Sequence, residues 1–437
     1  MNQNQSAAIV NKLKIMKFNK KVLKNGLRII TVPMTDNPSV TVLVMVEAGS
    51  KYETKKESGL SHFLEHMVFK GTPKRPKAID ISRELDSVGA HYNAFTGQEY
   101  TGYYAKADAR HTDAILDIVS DMYLNPLFDA KEMEKEKGVI IEEIRMYQDL
   151  PQRHVHDIFM ELVYGDQPAG WNIAGTEDIV KSFTREQLVS YRKAHYVSEA
   201  TTVIVAGSFK EKEMVKKIEK AFSIVAIDPM KDKLKVTESQ KVPQIKTSFK
   251  ETDQTHLVIG ARTFPVKDKR IPTMEVLSTI LGRGMSSRLF SKMRDQLGIC
   301  YYIKTNHDPF TDHGVLTISA GVDNARVEEA VRGILGECER LKTELVPLAE
   351  IKKAKDYIAG TTMLELETSD ARAEFCGFQE ILKKKIESPK NIIAKIQKVT
   401  AKEVRNLAQE VFVNKGLNMA LIGRTKDDQG LKSYFKW

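Results

Sequence analysis

Two apolar, β-branched runs open the patterned part of the chain. Residues 27–33 (LRIITVP) and 39–49 (SVTVLVMVEAG) alternate or run hydrophobic, which predicts half-buried strands. The pattern then changes to helical spacing. Residues 58–69 (SGLSHFLEHMVF) predict a helix capped by Ser58 or Ser61, and AIDISRELDSVG, from Ala78, predicts another. HYNAFTGQEYTGYYAKA, from His91, reads as two strands joined by a Thr-Gly turn. Two long helical stretches are expected to fill residues 109–164. Strands come as hairpins and helices in blocks, so the expected fold is α+β, a mainly antiparallel β-sheet packed with α-helices.

The same order returns further on. Tyr104 opens YAKADARHTDAILDIVSDM and Ser319 opens SAGVDNARVEEAVRGILGEC; their aspartates, Asp108 and Asp323, lie 215 residues apart. YVSEATTVIVAGSFKEKEMVKKIEKAF, from Tyr196, and FVNKGLNMALIGRTKDDQGLKSYF, from Phe412, are offset by 216 residues. Two matches at nearly one offset point to two copies of a unit a little over 200 residues long. The expected layout is a first domain over 1–226, a polar linker over 227–244 and a homologous second domain over 245–437.

Composition narrows the classes. A chain of 437 residues, 42% hydrophobic and 29% charged, is globular and multi-domain. The net charge of +9 is spread along the chain, often beside Glu as in KEMEKEK, with no basic stripe interleaved with aromatics. Nucleic acid is therefore not an expected partner. No apolar run reaches the roughly 18 residues a membrane span needs, so none is expected. The N-terminus has only AAIV as an apolar stretch and reads as a short disordered lead-in, not a secretory signal. Cys300, Cys338 and Cys376 are odd in number and form no CxxC pair, which argues against disulfides and thiolate zinc. The expected compartment is a bacterial-type cytoplasm, with the mitochondrial matrix second.

The chemistry is concentrated in the helix at 58–69. His62 and His66 are four apart, so both imidazoles share one face and reach one cation. Glu65 sits beside them, placed to take a proton from a metal-bound water; this is the inverted form of the zinc-protease helix motif. A catalytic zinc needs a third protein ligand. EKEKGVIIEEIRMYQ supplies Glu143 as that ligand, with Glu136 seven residues earlier on the same face to orient it from one shell out. Glu142 points about 100° away. At the 215-residue offset, His62, Glu65, His66 and Glu143 fall on Leu277, Ile280, Leu281 and Ile358, so one metal site per chain is expected.

These segments resemble the pitrilysin-type (inverzincin) zinc peptidases, specifically the half-length branch containing mitochondrial processing peptidase β-like and bacterial processing-protease proteins. GLSHFLEHMVFKGT, NAFTGQEYTGYYAKA and EKGVIIEEIRM carry the likeness in the first half, and GMSSRLFSKMRDQLGICYYIKT carries it in the second. The resemblance implies two domains of similar fold, one Zn2+, and cleavage of unfolded peptides or presequences inside a closed chamber. By position it makes His62, His66 and Glu143 the ligands, Glu65 the general base and Glu136 the supporting acid. Asn93 and Ala94 match the strand whose backbone pairs with substrate. Arg294 and Tyr301 match an Arg/Tyr pair that stabilises the oxyanion; on the residues alone, Arg294 is a surface helix position and Tyr301 core. Arg283 stands where the family often has Gly. Four such domains close a chamber, so the resemblance implies a dimer, with a homodimer expected because this chain has both halves of the site. Two other readings stay open: a non-catalytic core or partner subunit of a processing-peptidase-like complex, and a zinc protein acting on non-peptide substrates.

Overall fold

The structure is a computed structural model that describes residues 16–424, 429–433 and 435–437. Residues 1–15 of the expected N-terminal lead-in lie outside the described residues. The first half carries strands β1 (Asn19–Val22), β2 (Arg28–Pro33), β3 (Ser39–Val46), β4 (His91–Thr96), β5 (Thr101–Asp108) and β6 (Thr201–Gly207). Its helices are α1 (Leu60–Val68), α2 (Ala78–Ser87), α3 (Thr112–Leu124), α4 (Ala130–Asp149), α5 (Pro151–Tyr164), α6 (Glu177–Ser182), α7 (Arg185–His195) and α8 (Glu211–Ala221). The second half carries β7 (Gln244–Phe249), β8 (Gln254–Thr263), β9 (Cys300–Pro309), β10 (Gly314–Asp323) and β11 (Leu417–Gly423). Its helices are α9 (Ile271–Gly282), α10 (Val327–Thr343), α11 (Leu348–Glu365), α12 (Ser369–Lys383), α13 (Pro389–Lys398), α14 (Ala401–Val411) and α15 (Gln429–Lys432).

Two sheets result, in the orders β1-β2-β6-β3-β5-β4 and β7-β11-β8-β10-β9. Setting β1 aside, the orders superimpose strand for strand, with β4 and β9 at equivalent free edges. Each sheet is antiparallel apart from one parallel pair, β2 with β6 and β7 with β11. The α+β duplication read from the sequence is therefore a repeated topology.

Two local features differ from the sequence reading. Residues 109–164 form three helices where two stretches were expected. Asn125-Pro126 ends α3, and Pro151 starts α5 at a position where a missing N–H costs no helical bond. The half-buried strand expected at 39–49 is instead buried on both faces: every residue of β3 after Ser39 is inside. Val40, Val42, Val44 and Val46 pack into the first core beneath α1 and α3. On the opposite face Leu43 and Met45 lie under α12, which reaches over from the second half with Ala373, Cys376 and Ile381.

The exchange is reciprocal. Helix α5 of the first half packs Val155, Phe159 and Val163 onto Val258, Val315, Ala420 and Ile422 of the second sheet. Glycine allows the close approach in both places. A Cβ on Gly377 of α12 would stand 2.4 Å from Met45 Sδ, and one on Gly260 of β8 would stand 2.7 Å from Phe159 Cζ. Ion pairs to the buried Glu380 fix α12 further: Lys20 meets it at 2.7 Å, and Arg28, itself paired with Glu47 at 2.6 Å, meets it at 3.7 Å.

Candidate metal centre

Helix α1 starts without the serine cap expected of it. Its N-cap is Gly59, at φ +97°, where a Cβ would come within 2.5 Å of the Ala174 carbonyl oxygen. The first N–H groups go to the buried Glu53 carboxylate, which accepts from Gly59 at 2.8 Å and from Ser61 at 2.6 Å. The Ser61 hydroxyl is engaged by Tyr191 instead. Leu60, Phe63, Leu64, Met67 and Val68 are buried in the core, and this leaves His62, Glu65 and His66 on the stripe that faces a cleft.

Helix α4 packs against α1 and brings its carboxylates to the same place. His62 Nε2 and His66 Nε2 are 3.3 Å apart, and Glu143 Oε2 stands 3.7 Å from the first and 3.4 Å from the second. Among the described residues, these three form the one group of His, Cys, Asp or Glu side chains whose donor atoms all lie within 4.8 Å of one another. Ligands held about 2.0–2.1 Å from a tetrahedral zinc stand about 3.3–3.4 Å from each other. The observed triangle thus has the size of one face of a zinc tetrahedron, and the residues fit the ion. Glu136 accepts a hydrogen bond from His66 Nδ1 at 2.8 Å and pairs with Lys70 at 2.5 Å. It holds the imidazole with Nε2 toward the centre, as a carboxylate behind a metal-binding histidine does. Glu142 is exposed and pairs with Arg145.

The electrostatics follow from this crowding. Burial, and then the neighbouring His66, push His62 down to about 4. Burial also pulls His66 down, but hydrogen bonds with Glu136 and Glu143 outweigh it and raise the ring to about 9. A hydrogen bond from His66 holds Glu143 below the usual carboxylate range, against its partial burial. Burial raises Glu65, opposed by the Thr96 hydroxyl, which donates to Glu65 Oε2 at 2.5 Å. Glu65 therefore has a raised proton affinity, of the kind a general base uses, while the Glu143 carboxylate stays ionised.

Asn93 and Ala94 lie on β4, along the rim of the same cleft of about 690 Å3. Its pairing phase is fixed at the hairpin tip, where Gly97 N–H donates to Tyr100 C=O. Bonded pairs alternate in an antiparallel ladder, so residues 92, 94 and 96 turn their backbone groups to the free edge. There the Ala94 N–H is held by its neighbour's side chain, Asn93 Oδ1, at 2.9 Å.

Arg294 and Tyr301 are elsewhere. Arg294 is in the helical turn Phe290–Gln296 and Tyr301 is at the start of β9; neither lines the cleft. Tyr301 is 71% exposed, so reading it as core from the residues alone is wrong: it lies on the free edge strand. The Arg294 guanidinium sits over its ring, 5.4 Å from the centroid. Arg283 is tied to Glu275 at 2.7 Å. Leu277, Ile280, Leu281 and Ile358 are all buried in the second core, as the offset predicts.

Two cleft residues that hydrogen-bond the candidate carboxylates escaped the sequence reading. Tyr147 hydrogen-bonds Glu143 and lines the cleft; its place four residues after Glu143, on the same helix face, was the available signal. Thr96 had none, because its contact with Glu65 depends on the register of the hairpin.

A family model described as insulinase (peptidase family M16) matches residues 28–177, and one described as the peptidase M16 inactive domain matches residues 182–358. The uncharacterized zinc protease YmxG of Bacillus subtilis is 35% identical over 396 residues, 89% of this chain and 94% of that protein. An uncharacterized zinc protease of Streptomyces coelicolor is 32% identical over 416 residues, 94% of this chain and 90% of its own. A protease from Helicobacter pylori shares the fold, with a TM-score of 0.88 at 22% identity over 94% of this chain and 100% of that one. Identity at this level across nearly the whole length makes the chain a member of peptidase family M16.

Proposed function

We propose that the protein is a zinc metalloendopeptidase that hydrolyses unfolded peptides or presequences, with one zinc per chain held by His62, His66 and Glu143. The observation that carries this is the triangle of Nε2, Nε2 and Oε2 atoms, 3.3, 3.4 and 3.7 Å on its sides. The zinc-protease names of its relatives agree with it. Zinc held there supplies a Lewis acid that polarises water and the scissile carbonyl. Glu65 accepts a proton from the attacking water and passes it to the leaving amine. Glu136 keeps His66 in the binding tautomer, and Tyr147 steadies Glu143. The outward backbone groups of Ala94 and Thr96 pair with an extended peptide and so bind it with little regard to side chains; Asn93 vacates the Ala94 N–H as the peptide arrives.

We place Arg294 and Tyr301 opposite the scissile carbonyl of a second copy, in a homodimer that encloses a chamber. Their exposure and their absence from the cleft of their own chain motivate this. Three free, buried cysteines agree with a reducing compartment such as a bacterial cytoplasm. Among the described residues, no helix is long and apolar enough to cross a membrane.

The test is cleavage of a quenched, unstructured peptide by the purified chain. Activity is expected to be lost on chelation and restored by zinc. Glu65→Gln should retain zinc and lose roughly 100- to 10,000-fold in kcat. Near-normal turnover by that variant would remove Glu65 from its role, and full activity in a metal-stripped sample would remove the zinc.

A further inference from the structure

Thr96 stands at a junction. Side chains alternate across β4: Phe95 points to the face where it meets Tyr104 and Phe378, while Ala94 and Thr96 point toward α1. The Thr96 hydroxyl reaches Glu65 Oε2 at 2.5 Å, and among the described residues it is the one hydrogen-bond partner of that carboxylate. The backbone of the same residue faces the free edge of the sheet, by the phase that the Gly97–Tyr100 bond sets. One residue thus touches the glutamate with its side chain and offers the docking edge its main chain.

A glutamate on a helix has three rotatable bonds, and a general base acts only when its oxygen is held within about half an ångström of the productive position. Packing holds His62 and His66 between two helices, but the end of Glu65 has only the threonine. A carboxylate left loose beside two imidazoles and a cation would swing toward the positive charge and leave the water without an acceptor. With Oε2 fixed by the hydroxyl, Oε1 is left for the proton transfer. Because the fixing group rides on β4, a peptide that pairs along the edge sets the strand and the base together.

We infer that Thr96 is a positioning residue for catalysis: its hydroxyl fixes the Glu65 carboxylate and ties it to the strand on which the peptide docks. This rests on the reading of Glu65 as general base. The full-length zinc-loaded protein and its Thr96→Val, Thr96→Ser and Glu65→Gln variants are compared on one quenched peptide, with zinc per chain and Tm measured alongside. Thr96→Val keeps the volume and loses the donor, so kcat should fall roughly 10- to 100-fold with zinc content unchanged. KM should stay within about twofold, because the backbone that docks the peptide is untouched. Thr96→Ser keeps the donor and should recover to within about threefold of wild type. If the valine enzyme has a lowered Tm, Thr96→Ala removes the hydroxyl without adding bulk and replaces it in the comparison. A wild-type kcat without the hydroxyl, or a serine variant as slow as the valine one, overturns the inference while an inactive Glu65→Gln leaves the base assignment standing. An active Glu65→Gln overturns both.

Discussion

His66 sits between two carboxylates, and this makes zinc binding a competition with one proton. In the metal-free protein the ring stays protonated up to about pH 9. His62 is held neutral, with its own pKa near 4, and Glu143 is already ionised. Zinc binds neutral imidazoles, so between about pH 4 and pH 9 its binding displaces a proton from His66 and none from His62. Apparent zinc affinity should therefore rise roughly tenfold per pH unit between about pH 7 and pH 9, then level off. The metal-free fold has the opposite dependence. A folded pKa above the unfolded value adds stability that is complete below about pH 6.5 and is lost as the pH rises through 9. Competition with a chromophoric chelator over that range measures the first effect; a flat affinity would mean that His66 is not paired as described. The side chains that cluster were legible because helix periodicity fixes which residues share a face: four residues separate His62 from His66, and seven separate Glu136 from Glu143. Glu53 and Thr96 were not. Their partners are set by the path of a loop and the register of a hairpin, which local periodicity does not record.

At the scale of elements, the repeated strand order was visible in two matching segments, yet the packing between halves was not. The continuous apolar run of β3, VTVLVMV, is what a strand covered on both faces looks like. Nothing in it says that the second cover is α12, contributed from more than 300 residues downstream. Helical spacing in α5 likewise shows an apolar face but not that its partner is the other sheet. The exchange means that neither sheet is complete without a helix from the other half, and it makes a strong prediction about Phe159. This ring is fully buried on α5, seated over Gly260 of β8. Phe159→Ala should cost about 3–5 kcal/mol in urea-induced unfolding, the range for emptying a buried aromatic site. Hydrogen exchange should quicken in β8 and β11, where the helix lies, before it does in β5. A loss under about 1 kcal/mol would show that α5 contributes little to holding the second sheet.

For the whole molecule, the question is how many chains make one site. The cleft of a single chain has the proposed ligands, base and docking strand, whereas Arg294 and Tyr301 stand exposed away from its lining. The proposed twofold dimer would pair the cleft of each protomer with the Arg/Tyr pair of the other and so make two composite sites, which can be counted by mixing. Glu65→Gln and Tyr301→Phe homodimers are each expected to be crippled at both sites. In a heterodimer of the two, one site combines an intact Glu65 with an intact Tyr301, and the other site collects both lesions. Random exchange of equal amounts makes about half of the dimers mixed, so about a quarter of all sites should be intact. Activity should climb toward a quarter of wild type as the subunits exchange, with a time course set by dissociation. If Glu65 and Tyr301 of one chain served the same site, no arrangement of the two variants would contain an intact site. Activity would then stay at the average of the two parents however long they were mixed.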